Sequence, residues 1–270
     1  MKDILKSEAH IKQIVNNISD VAGMLWERGW SERNAGNITV NITDLISAKA
    51  DIIPEEYPKH KLISCCRELG GSWFLTTGTG GRMRDLARMP ENNILVIHID
   101  KDGETYSLIS GKENINPPMP TSELPTHLKI HRMIKQRNSD EKVVLHTHAS
   151  ELIALTQLKE YCNEDKINKI LWGMHPETMV FVPKGIGLVP YMTPGTDIIA
   201  DRTIEALKNH DVALWEKHGI FAIGDDIIEA FDIIDILAKS AKIFFMCKNA
   251  AMEPDGLSDS QLEELRKIDF

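Results

Sequence analysis

The run Val143-Val144-Leu145-His146-Thr147-His148 sets two imidazoles two residues apart at the end of an apolar stretch. On a strand, side chains at i and i+2 share a face, so His146 and His148 can converge on one cation through ring nitrogens. The plainer reading is two polar residues closing a buried strand. Trp215-Glu216-Lys217-His218-Gly219 offers a third ligand, because His218 stands between two apolar segments; by itself it reads as a turn histidine. Three His with an open fourth position describe a catalytic rather than a structural zinc site. A rival set shares one predicted helix. Glu123, His127 and His131 are spaced by four, which suits a helical metal site and equally an ordinary polar helix face. The first His of this HxxxH lacks the neighbouring Glu that helical metalloproteases use.

Two further segments suit an anionic group. Asn34-Ala35-Gly36-Asn37 offers small and amide side chains between a helix and a strand. Thr77-Gly78-Thr79-Gly80-Gly81 offers hydroxyls and unobstructed backbone N–H groups, the requirement for a phosphate nest. Neither matches a P-loop or a dinucleotide-binding glycine pattern, and a plain turn explains either as well. In Pro120-Thr121-Ser122-Glu123-Leu124-Pro125, Thr121 or Ser122 can cap a helix whose first turn favours Glu123. The functional alternative turns Glu123 to the metal as a general base, with Thr121 and Ser122 donating to phosphate.

The elements that must hold these groups follow from periodicity. Apolar residues at helical spacing (Ile11, Ile14, Val15, Ile18, Val21, Leu25) predict a helix over 7–30, and β-branched alternation predicts a strand over 36–43. Residues 44–71 show no period and read as an irregular excursion. Strands are predicted at 73–77, 94–100, 104–109, 142–145, 178–182, 212–215 and 220–223, with Asp102-Gly103 turning a hairpin. Helices are predicted at 121–136, 149–158, 196–209, 225–249 and 258–268. The pattern is α/β, a single domain over residues 1–270, with a sheet layered by helices.

Composition narrows the function classes. Thirty-one Lys and Arg against 40 Asp and Glu give a net charge of −9, with no basic block, which argues against nucleic-acid or anionic-membrane binding. The start MKDILKSEAHIKQ has no apolar core of a signal peptide, and no run reaches the ~18 apolar residues of a membrane span. Four Cys without CxxC spacing read as reduced thiols of a cytoplasmic protein.

Taken in order, GNIT, TTGTGG, PTSELPTH, HTH and KHG resemble the class II (zinc-dependent) aldolase family, over nearly the whole chain from Trp26 to the helix after Gly224. The blocks GW-x-ER-N-x-GN and Val189-Pro190-Tyr191-Met192-Thr193-Pro194-Gly195-Thr196-Asp197 strengthen the likeness. The resemblance implies Zn2+ on His146, His148 and His218, and an essential Glu123. It implies phosphate contacts from Asn34, Gly36, Asn37, Thr79, Thr121 and Ser122, with Gly78 shaping the turn. Relatives often carry Ser where this chain has Thr79; both donate a hydroxyl. The fold implied is a mainly antiparallel sheet in an α/β/α arrangement, assembled as a homotetramer acting on a small-molecule sugar phosphate. A glutamate at the position of Glu177 is implied as a second acid, set against a solvated residue before a strand. An epimerase or dehydratase of sugar phosphates is the rival on this scaffold. A scaffold protein without chemistry would have no need of the full His and Glu set.

Overall fold

Alternating β-branched and aromatic residues build one nine-stranded sheet in a computed structural model that describes Leu5 and residues 9–46, 52–109 and 119–268. Its strands are Asn37–Asn41 (β1), Lys59–Lys61 (β2), Trp73–Thr77 (β3), Ile94–Ile99 (β4), Thr105–Leu108 (β5), Val143–Thr147 (β6), Gly187–Val189 (β7), Val212–Trp215 (β8) and Gly219–Gly224 (β9). They lie in the order β2-β5-β4-β3-β1-β6-β9-β8-β7. Every pairing is antiparallel except β7 with β8. The central position of β1, between β3 and β6, matters for the site: Asn37 stands opposite His146 in the register.

The helices of six residues or more are Ala9–Glu27 (α1), Leu124–Gln136 (α2), Ser150–Gln157 (α3), Glu164–Met174 (α4), Pro176–Phe181 (α5), Asp197–Leu207 (α6), Ile227–Asn249 (α7) and Asp259–Leu265 (α8). The two-residue period of a strand divides them into layers. On one face of the sheet Ile38, Val40, Val143 and Leu145 bury against Val15 and Ile18 of α1 and Ile234 and Leu237 of α7. On the other, Val144, Trp215 and Phe221 meet Ile130 and Ile134 of α2 and Ile199 of α6. His146 shares the parity of Val144, so the same alternation that fills the core aims it toward the α2 side.

Three expectations change. Residues 178–182 are not a strand: Pro176 opens α5, which runs to Phe181. A proline fixes φ at a helical value and has no N–H to lose at a helix start, which outweighs the β-branched run. The excursion over 44–71 contributes an edge strand, β2, paired with β5. Neither Thr121 nor Ser122 caps α2, whose N-cap is Glu123 with no side-chain cap bond. Among the described residues, no helix is long and apolar enough to cross a membrane, and Cys65, Cys66, Cys162 and Cys247 are free.

Candidate active site

His146 enters the site from the penultimate position of the buried strand β6, and His148 follows just past the strand's end. His218 arrives on the three-residue loop that joins β8 to β9, where Trp215 pairs with Gly219. That loop is pinned from outside, since Lys217 N donates to Thr156 Oγ1 at 2.8 Å. The three rings close on one another, with centroids 5.3 Å apart for His146–His148, 5.3 Å for His146–His218 and 4.9 Å for His148–His218. One ligand atom from each lies within 4.8 Å of the others, the only group of three His, Cys, Asp or Glu so arranged among the described residues.

The donor set fits a metal on chemical grounds. His146 Nδ1 lies 3.0 Å from the Ile220 carbonyl and donates to it, which leaves the lone pair on Nε2; that atom is buried with no hydrogen-bond partner. Burial pushes the His146 imidazole well below its ordinary pKa, and His148 and His218 push the same way. Burial likewise lowers His218, whose Nδ1 is also buried without a partner. Neutral imidazoles with unused lone pairs are the state a cation needs. His148 Nδ1 is held by Glu32 Oε1 at 2.7 Å, so its Nε2 is the atom free to ligate. A carboxylate behind a ligating histidine orients the ring and raises its basicity.

Two glycines let the rings approach. A Cβ on Gly219 would sit 2.6 Å from the Thr147 carbonyl, 2.8 Å from His146 Cε1 and 2.9 Å from His148 Cδ2. Gly36 has φ +84° and would place a Cβ 3.1 Å from the His146 carbonyl. Both positions exclude a side chain, the second on conformational grounds as well.

A cavity of roughly 180 Å³ opens beside the triad, lined by Asn34, Ala35, Gly36, Asn37, Gly78, Thr79, Gly80, Thr121, Ser122, Glu123 and the three histidines. The Gly78 turn and the Thr121 segment meet because Gly78 bridges to Pro120 and Thr121 N donates to the Thr77 carbonyl at 2.9 Å. Glu123 stands at the N-cap of α2 but its side chain makes no cap bond; Oε2 lies 3.6 Å from His146 Nε2 and accepts from Asn37 Nδ2 at 2.8 Å. The structure thus brings together eleven of the twelve site residues named from sequence. Glu177 is not in this cavity; it is half-exposed in the first turn of α5, with Oε2 3.0 Å from His175 Nε2. The rival metal set separates: His127 and His131 are buried side by side rather than solvated, and both bond to Thr39 at 2.8 Å. Sequence reasoning missed Glu32, whose acidic type four residues before Gly36 carries no signal of a partner just past the end of a distant strand.

A small polar cavity with a three-histidine cluster, a carboxylate against it and a glycine turn opposite is what a metal-dependent lyase acting on phosphorylated sugars requires. The profile of the Class II Aldolase and Adducin N-terminal domain family matches residues 16–245, and the chain belongs to that family. It is 42% identical to rhamnulose-1-phosphate aldolase of Bacteroides thetaiotaomicron, over 98% of this chain and 97% of that one. It is 36% identical to rhamnulose-1-phosphate aldolase of Pectobacterium atrosepticum, covering 90% and 88% of the two chains. Among solved structures, the sugar-phosphate aldolase from Thermotoga maritima superposes with a TM-score of 0.76 at 33% identity, over 92% of this chain and all of that one.

Proposed function

We propose that the chain reversibly cleaves L-rhamnulose 1-phosphate to dihydroxyacetone phosphate and L-lactaldehyde, with Zn2+ on His146, His148 and His218. The observation that carries this reading is Glu123 Oε2 lying 3.6 Å from His146 Nε2 in one cavity with the Gly78–Thr79 turn. The name shared by the relatives supports the choice of substrate. Bound Zn2+ supplies an electrophile for the substrate carbonyl, strongest where negative charge develops as the carbon–carbon bond breaks.

The chain's own residues do the rest. Asn34, Gly36, Thr79, Thr121 and Ser122 line the phosphate end, where N–H and O–H donors form charge-assisted bonds, and Gly78 shapes the turn. Asn37 belongs to this set with the one amide hydrogen that Glu123 leaves it. Cleavage of C3–C4 turns the C4 hydroxyl into the aldehyde carbonyl and leaves an electron pair at C3. Glu123 gives its proton to C3, and in synthesis removes it. The C4 hydroxyl proton needs a second acceptor, because Glu123 is committed to carbon. Glu177 fills that role across a subunit contact of a cytoplasmic homotetramer; its half-exposed place outside its own chain's cavity supports action on a neighbour.

Exchange of a dihydroxyacetone phosphate proton with deuterated water isolates the Glu123 step. Glu123→Gln should retain metal and lose exchange by about 10²–10⁴-fold. Exchange at the wild-type rate would reduce Glu123 to a residue at a helix start.

A further inference from the structure

Behind Glu123 a buried chain of polar side chains runs from Asn37 into the core, through Thr39, His127 and His131, which the proposed chemistry does not use. Asn37 Nδ2 donates to Glu123 Oε2 at 2.8 Å, and Asn37 Oδ1 meets His127 Nε2. His127 Nδ1 lies 2.8 Å from Thr39 Oγ1, which lies 2.8 Å from His131 Nε2. Thr39 and His127 are wholly buried, His131 is 2% exposed and Asn37 8%. Phe221 and Phe74 pack on the two imidazoles at 5.6 and 4.8 Å between centroids. The spacing explains the zip: two residues along β1 advance about 6.6 Å and four along α2 about 6.0 Å, so Asn37 and Thr39 interleave with His127 and His131.

Hydrogen counting gives the chain a direction. With Glu123 ionised, Asn37 donates its amide to the carboxylate and must accept at Oδ1, so His127 carries its proton on Nε2. Burial lowers the pKa of His127 well below its ordinary value and that of His131 to about 3, which keeps both rings neutral. His127 Nδ1 is then an acceptor, and the single Thr39 hydroxyl proton points to it. Thr39 must in turn accept from His131 Nε2–H. Every donor runs toward Glu123, and bonds so aligned strengthen one another in a dry interior. A polar chain of this kind inside a core is costly unless every member is satisfied, and packing Leu and Phe there would serve stability as well.

We infer that His127 is a positioning residue for proton transfer: through Asn37 it holds the Glu123 carboxylate against the histidine cluster, while Thr39 and His131 fix the His127 tautomer. This rests on Glu123 being the acid–base group, as proposed above. Thr39→Val removes the hydroxyl at nearly constant shape and Thr39→Ser keeps it. In metal-loaded protein, Thr39→Val and His127→Leu should lower kcat for cleavage and exchange about 10–100-fold, the usual effect of losing an outer orienting partner. Bound metal should not change, and kcat should fall by a larger factor than KM rises, since Asn37 also lines the phosphate end. Thr39→Ser should restore the rate, as should His127→Gln, whose amide nitrogen can reach Asn37 Oδ1.

A folded, metal-replete Thr39→Val or His127→Leu protein with wild-type kcat would overturn the positioning role. ¹⁵N-labelled histidine in the intact wild-type enzyme provides a readout that needs no variant. Protons on Nε2 of both His127 and His131 are expected, and a His127 protonated on Nδ1 would overturn the chain. Glu123→Gln run alongside separates the two ideas. If it keeps exchange, the proposed function fails; if it loses exchange while Thr39→Val does not, only the positioning role fails.

Discussion

Glu32 Oε1 lies 2.7 Å from His148 Nδ1, although 116 residues separate the two along the chain. The contact is made because the turn after α1 crosses the end of β6, where His148 N also donates to the Trp30 carbonyl at 2.9 Å. Glu32 is two-thirds exposed, so the bond does little for stability; in the metal site proposed above, its value is in orienting His148 as a ligand. Glu32→Gln should weaken metal binding by about 10–100-fold and leave the unfolding midpoint of the metal-free protein unchanged. Competition with a chelating dye measures the first quantity. Unaltered affinity would mean that His148 is held by packing alone.

Gly219 tests how closely the rings must approach. Gly219→Ala puts a methyl 2.6 Å from the Thr147 carbonyl, which belongs to a central strand and cannot retreat. Overpacking of this kind costs about 1–3 kcal/mol. Both a lower unfolding midpoint and a weaker metal site are expected, since His146 and His148 stand on the same strand end. A variant unchanged in both respects would contradict the close packing around Gly219.

Much of this site was legible in sequence because its residues lie where local rules are strong. His146 and His148 follow a β-branched run whose period fixes their shared face, and His218 sits between two apolar strands beside a glycine. The register that puts Asn37 opposite His146 was not legible, because strand pairing is decided by packing across the whole sheet. His127 and His131 were readable in principle. With Leu124, Leu128 and Ile134 they complete the i, i+3, i+4, i+7 stripe of an inward helix face, and only their polarity suggested solvent. The run Met179, Val180, Phe181 and Val182 reads as extended and sets Glu177 before a strand, yet Pro176 starts a helix there.

The two buried histidines also make stability depend on pH. Inside the fold His131 takes up a proton only near pH 3, whereas in the unfolded chain it does so near 6.5. Between those values the unfolded state binds more protons. Stability is therefore full above about pH 6.5 and falls with pH, by roughly 1.4 kcal/mol per pH unit for this one group. His127 acts in the same direction. Urea unfolding at pH 7 and pH 5 should show a smaller loss for His131→Gln than for wild type. Equal losses would show that His131 already titrates normally in the fold.

If Glu177 serves a neighbouring subunit, two inactive variants should complement each other. Glu123→Gln and Glu177→Ala, mixed under conditions that let subunits exchange, would form sites with Glu123 from one chain and Glu177 from the other. Activity above that of either variant alone is expected. No recovery, with subunit exchange demonstrated by mass, would return Glu177 to its own chain or to a surface role.

The most direct measurement offers L-rhamnulose 1-phosphate to the protein before and after chelation and follows dihydroxyacetone phosphate with a coupled reductase. Metal-loaded protein should release dihydroxyacetone phosphate, the chelated protein should release none, and added Zn2+ should restore release. A pentulose 5-phosphate should give no released aldehyde and no epimer. Epimer formation without cleavage of the rhamnulose ester, or full cleavage by protein shown to contain no metal, would contradict the account.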